Sequence, residues 1–110
     1  MGAIAPFDTS FVTAIYAFNE NYPNDFILNQ NYPNPFNPST TIDFSIPKTE
    51  FVKLKIYNIL GQEVATLVSE RLISGNYTYT WDASDFACGV YYCQLITDNY
   101  RKVNKMILLN

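Results

Sequence analysis

The chain has 110 residues, 48% of them apolar and only 15% charged, with a net charge of −3. That apolar content excludes a disordered chain, and seven basic residues against ten acidic ones exclude the cationic footprint that nucleic-acid binding needs. Histidine is absent and there are only two cysteines, which removes the usual general base and any four-ligand zinc site.

This length fits one domain, which buries roughly two-thirds of the surface its open chain would expose. No apolar run is long enough for a membrane-spanning helix. A signal peptide is not readable either, because the first basic residue is Lys48.

Residues 1–25 read as an N-terminal apolar extended segment. From Phe11 to Phe18 the run is apolar on both parities apart from Thr13, and its anchors are Phe11, Val12, Ile15, Tyr16 and Phe18. A strand of that kind is stable only when buried on both faces, as a donor strand would be. The simpler reading is a linker or a fragment of an upstream domain. A short repeat follows: Asn19–Phe26 matches Asn29–Phe36 at six of eight positions, ten residues apart. It reads either as a duplicated linker or as two copies of one docking segment competing for one slot.

The stretch Asn29–Ile46 contains Pro33, Pro35 and Pro38, three of the six prolines. Each fixes φ, removes a donor and pushes its predecessor towards extended geometry. The expectation is a stiff, kinked lead-in with Tyr32 and Phe36 as apolar anchors. Alternation then starts, with Ile42, Phe44 and Ile46 on one face and Asp43 and Ser45 on the other. The next strand, Phe51–Tyr57, sets Val52, Leu54 and Ile56 against a solvated face of Lys53 and Lys55.

A turn at Asn58–Gln62 needs positive φ at Gly61. A strand over Glu63–Val68 pairs back, and Ser74-Gly75-Asn76 makes the next turn. Tyr77, Tyr79 and Trp81 line one face of the strand after it. Gly89 opens Val90–Thr97, which is apolar on both parities and suits either a central position or a surface used by a partner. A last strand covers Arg101–Leu109. Helical periodicity appears nowhere, so the pattern predicts an all-β, immunoglobulin-like or fibronectin-type-III-like antiparallel sandwich of about seven strands over residues 26–110.

Chemistry-bearing groups are few. Tyr91-x-Cys93 has the spacing of a tyrosine corner, without a second cysteine for the inter-sheet disulfide. Cys88 and Cys93 would lie roughly 16 Å apart in an extended strand, too far to bond to each other. Cys93 reads as a small buried residue; Cys88 reads as a free thiol or an intermolecular bridge. Asp82 and Asp85 fit turn capping better than calcium, which needs six to eight oxygens. No acid–base dyad, phosphate loop or nucleophile elbow is present, so no enzyme and no cofactor are predicted.

Taken in order, Asn31-Tyr-Pro-Asn-Pro-Phe-Asn-Pro-Ser-Thr-Thr-Ile42, Ile56-Tyr-Asn-Ile-Leu-Gly-Gln-Glu-Val-Ala-Thr-Leu67, Trp81-Asp-Ala83, Gly89-Val-Tyr91 and Lys105-Met-Ile-Leu-Leu109 resemble the type A C-terminal sorting domain of the type IX secretion system. The resemblance implies a seven-strand immunoglobulin-like sandwich carried by secreted cargo. It also implies recognition by outer-membrane sorting machinery, and an extracellular or cell-surface destination. By position, the recognition residues it implies are Gly89, Val90, Tyr91, Lys105, Met106, Ile107, Leu108 and Leu109. Family members usually carry Ser or Ala at the position of Cys88 and an aromatic at that of Cys93.

The leading expectation is thus a non-enzymatic sorting and surface-anchoring domain. With only residues 1–25 ahead of it, the alternative is a filament subunit, a homo-oligomer whose N-terminal strand fills a groove on the next copy. A carbohydrate-binding sandwich using exposed tyrosines is a third reading.

Overall fold

The computed structural model describes residues 25–109, and the donor-strand residues Phe11, Val12, Ile15, Tyr16 and Phe18 lie outside them. The described residues form seven strands: β1 (Ile27–Leu28), β2 (Ser39–Ile46), β3 (Glu50–Asn58), β4 (Glu63–Leu72), β5 (Gly75–Asp82), β6 (Gly89–Ile96) and β7 (Arg101–Leu108). They pair antiparallel in two sheets, of order β1-β2-β5 and β4-β3-β6-β7. The all-β sandwich expected from the alternation is the fold found. Compared with a constant-type immunoglobulin domain, the fourth strand has moved to the edge of the larger sheet.

The period-two pattern dictates the core. Ile42, Phe44 and Ile46 face Val52, Leu54, Ile56 and Leu95 across the sandwich, each no more than 1% exposed. Burying each such side chain contributes about 1.5–3 kcal/mol before the cost of ordering the chain. Aromatic rings line the core along β5. Trp81 packs on Phe36 at 5.8 Å and on Phe86 and Tyr91 at 5.4 Å, while Phe44 stacks on Tyr77 at 5.4 Å.

The β3–β4 hairpin turns as predicted. Gly61 has φ +81°, and Asn58 Oδ1 accepts from the N–H groups of Leu60 and Gln62. Two expectations are corrected. The strand after this turn runs to Leu72, because Ser69–Leu72 pair with Glu50–Lys53 despite their polar sequence. The turn placed at Ser74-Gly75-Asn76 is made by Ile73 and Ser74 instead, since Gly75 and Asn76 already pair with Ile46 and Ser45 in the other sheet.

The proline-rich lead-in crosses from one sheet to the other. Its three X-Pro bonds, at Pro33, Pro35 and Pro38, are cis. Tyr32 bridges to Thr41 of β2, and Phe36 forms a parallel bridge to Leu108 of β7. Phe36 is an anchor, 1% exposed, but Tyr32 is not. Its ring is 52% exposed and its hydroxyl donates to Asp43 Oδ2 at 3.0 Å. The buried partner is instead Asn31, whose Nδ2 donates to Thr40 Oγ1 at 2.9 Å.

Candidate recognition face

The β6–β7 register brings the two groups of predicted recognition residues together. Gly89 pairs with Leu108, Val90 with Ile107, and Tyr91 with Met106. Gly89 has φ +146° with open space where a Cβ would stand, so its requirement is conformational rather than steric.

Alternation then divides the set. Tyr91, Met106 and Leu108 point into the core, at 7%, 0% and 3% exposure. Val90, Lys105 and Ile107 lie on the outer face, and Leu109 follows the end of β7. Tyr91 completes a tyrosine corner, with its hydroxyl donating to the Ala87 carbonyl at 2.6 Å.

β7 is an edge strand, and the lead-in seals half of that edge. Phe36 N–H donates to Ile107 O at 2.9 Å and Leu109 N–H to Phe36 O at 2.8 Å. Ile107 N–H donates to Asn34 Oδ1 at 3.0 Å, and Gln30 Nε2 donates to Lys105 O at 2.8 Å. By strand alternation Arg101 and Val103 turn their backbone groups the same way. Among the described residues nothing pairs with them there.

The outer face of the larger sheet is cationic. Its cross-strand rows read Lys53–Ile96–Arg101, Lys55–Gln94–Val103 and Tyr57–Tyr92–Lys105, and Arg71 lies opposite Phe51. Five of the chain's seven basic residues therefore share one face of an acidic protein, whereas the smaller sheet has none. Glu63 is the acidic group within those rows; its carboxyl is held below the usual glutamate range by the Thr66 hydroxyl and by Lys55, 3.0 Å away. Lys53 and Lys55 were legible as a solvated face of one strand. Their neighbours Arg101 and Lys105 became visible only through sheet order.

At the opposite end, Glu50 is buried beneath the β6–β7 turn. Burial disfavours its charge, but donation from Asn99 Nδ2, Thr97 and the Asp98 N–H, with Lys48 3.7 Å away, holds its carboxyl below the usual range. Asp82 Oδ1 accepts from the N–H and hydroxyl of Ser84, so it caps a turn. Among the described residues there is no cluster of three metal-ligating side chains, and no helix long and apolar enough to cross a membrane. Cys88 is exposed and Cys93 buried, and they are not bonded to each other.

The distinctive surface of this two-sheet sandwich is thus a half-open strand edge beside a charged sheet face, to which an extended segment could add. The family model described as the secretion system C-terminal sorting domain matches residues 30–109. The chain belongs to that family, the sorting domains of type IX secretion. A search of curated proteins found no match.

Proposed function

We propose that residues 26–110 act without catalysis, as the address that sorting machinery of the outer membrane reads on an exported chain bound for the cell surface or the exterior. The observation that carries this reading is the pairing of Val90 with Ile107, beside Lys105 and Leu109, on a half-sealed edge. An extended segment of a partner would add to the open Arg101–Val103 part of that edge through backbone bonds, and the outward side chains of Lys105 and Ile107 beside it would supply specificity. The cationic rows beside it favour a partner of acidic surface.

Deleting Lys105–Asn110 is a poor test, because it strips Met106 and Leu108 from the core. The informative variants are Lys105→Glu and Ile107→Thr, which alter outward positions only. Fused behind a reporter in a type IX-competent cell, each should lower export at least roughly tenfold, the effect of losing about 1.4 kcal/mol of binding. Far-ultraviolet circular dichroism should be unchanged. Normal export by both variants would overturn this reading.

A further inference from the structure

The ten-residue repeat acquires a physical meaning in the groove between β2 and the edge of β7. The downstream copy occupies that groove, and its contacts can be named. Leu28 and Phe36 are buried, and Phe26 stacks on Tyr100 at 5.2 Å. Asn31 Nδ2 donates to Thr40 Oγ1 at 2.9 Å and to the Pro33 carbonyl at 3.2 Å. Tyr32 exchanges backbone bonds with Thr41 at 2.8 and 2.9 Å, and Asn34 Oδ1 accepts from Ile107 N–H.

Ten residues upstream the sequence offers matching chemistry at each of these positions. Tyr16 stands for Phe26, Phe18 for Leu28, Asn21 for Asn31, Tyr22 for Tyr32, Asn24 for Asn34 and Phe26 for Phe36. The correspondence thus gains two aromatic or apolar positions ahead of the eight residues visible as a repeat, with Ala17 standing for the half-exposed Ile27 between them. An even offset also matters, because side chains alternate with period two and a ten-residue shift returns each to its original face. Two hydrogen bonds are lost. Gln30 Nε2 donates to Lys105 O and Asn31 Oδ1, at 2.8 and 2.6 Å, and the carboxylate of Glu20 has no N–H to replace it.

We propose that the groove is a binding site for this sequence pattern and that residues 16–26 are its second ligand, taken up in a minor state by a ten-residue slip of the same chain. The slip lengthens the connection to β2 by ten residues, and added loop length costs closure entropy only slowly. Tethering gives the upstream copy an effective concentration in the millimolar range, which a separate molecule reaches only at comparable protein concentration. Slip within one chain therefore precedes exchange between chains. The absent Gln30 bonds keep the downstream copy as the resident.

The test is disulfide trapping in the full chain with Cys88→Ser, leaving the buried Cys93 in place. Tyr22→Cys with Thr41→Cys places two thiols, after the slip, in the register that Tyr32 and Thr41 hold in the resident state. A hydrogen-bonded antiparallel pair holds its Cα atoms about 5.5 Å apart, within disulfide range. Oxidation is carried out under conditions that close the resident pair, Tyr32→Cys with Thr41→Cys. A disulfide between positions 22 and 41 of one monomer is expected, and its yield should rise several-fold with Gln30→Glu and Pro35→Asp, which make residues 29–36 identical to 19–26. No link in either background overturns the proposal. Linked dimers in place of linked monomers would overturn it in favour of exchange between copies.

Discussion

The hydroxyl of Tyr91 lies 2.6 Å from the carbonyl oxygen of Ala87, four residues upstream, and donates to it. The bond ties the approach to β6 onto the strand itself and holds the ring edge-on to Trp81. Tyr91→Phe keeps the ring and loses the bond, so unfolding stability should fall by about 0.5–1.5 kcal/mol. Urea denaturation measures this. Reporter export should persist, because the hydroxyl faces the chain rather than a partner; export lost at unchanged stability would make Tyr91 a recognition residue.

Asn31 and Thr40 form a buried polar pair beneath the prolines, and Thr40 Oγ1 also donates to the Pro33 carbonyl. Thr40→Val leaves one Asn31 amide proton without an acceptor, while the Pro33 carbonyl keeps its bond from Asn31, at a cost of about 1–3 kcal/mol. In an Asn31→Ala background the same change should cost less, by about 0.5 kcal/mol or more. A double-mutant cycle in urea checks it; strict additivity would deny the coupling.

Glu50 predicts an acid limb. Its carboxyl titrates lower in the folded chain than in the unfolded one, so its contribution is complete above the unfolded value and disappears as pH falls through the folded value. Protonation should loosen the turn at Asp98–Asn99 first. Hydrogen exchange of the Asp98 amide, followed from neutral to acid pH, reads this directly. Glu50→Gln should flatten the dependence.

Burial pushes the Cys93 thiol up to about 12, so the thiolate is scarce at neutral pH. Alkylation of the native protein should therefore modify Cys88 alone, giving one adduct per chain by intact mass. In denaturant two adducts should form. Two adducts under native conditions would mean that β6 opens readily.

The cationic rows give a kinetic prediction. Lys53→Glu with Arg101→Glu reverses two charges in one cross-strand row without touching the core. Association with the sorting partner should slow by about an order of magnitude at low salt, and its salt dependence should flatten. Surface plasmon resonance across ionic strengths would show it. Unchanged rates would place the partner elsewhere on the domain.

How much of this was legible in advance follows from what period-two patterning encodes. Strand identity and facing were readable at Val52, Leu54 and Ile56, and again at Tyr77, Tyr79 and Trp81, because local alternation reports a buried face. Partner choice was not. Nothing local says that β4 stays with β3 while β5 crosses to β2, or that Ser69–Leu72 extend a strand. Tyr32 was misread because an aromatic beside proline looks like an anchor, whereas its backbone bridge turns the ring outward. The burial of Asn31 was hidden by its polarity, and its recurrence at Asn21 was the available signal. Of the candidate face, the residues came from the family pattern; their division into inward and outward sets came from the register.

The lead-in that seals β7 joins positions far apart in the chain. Asn34 meets Ile107, and Gln30 meets Lys105, across 73 and 75 residues. Such contacts cannot form on the ribosome until the last strand has emerged, and folds dominated by them assemble late. The sandwich is therefore closed last, by its final strand. A chain cut short before β7 lacks the strand that the lead-in clasps, so the sandwich stays open on that side until β7 has been made.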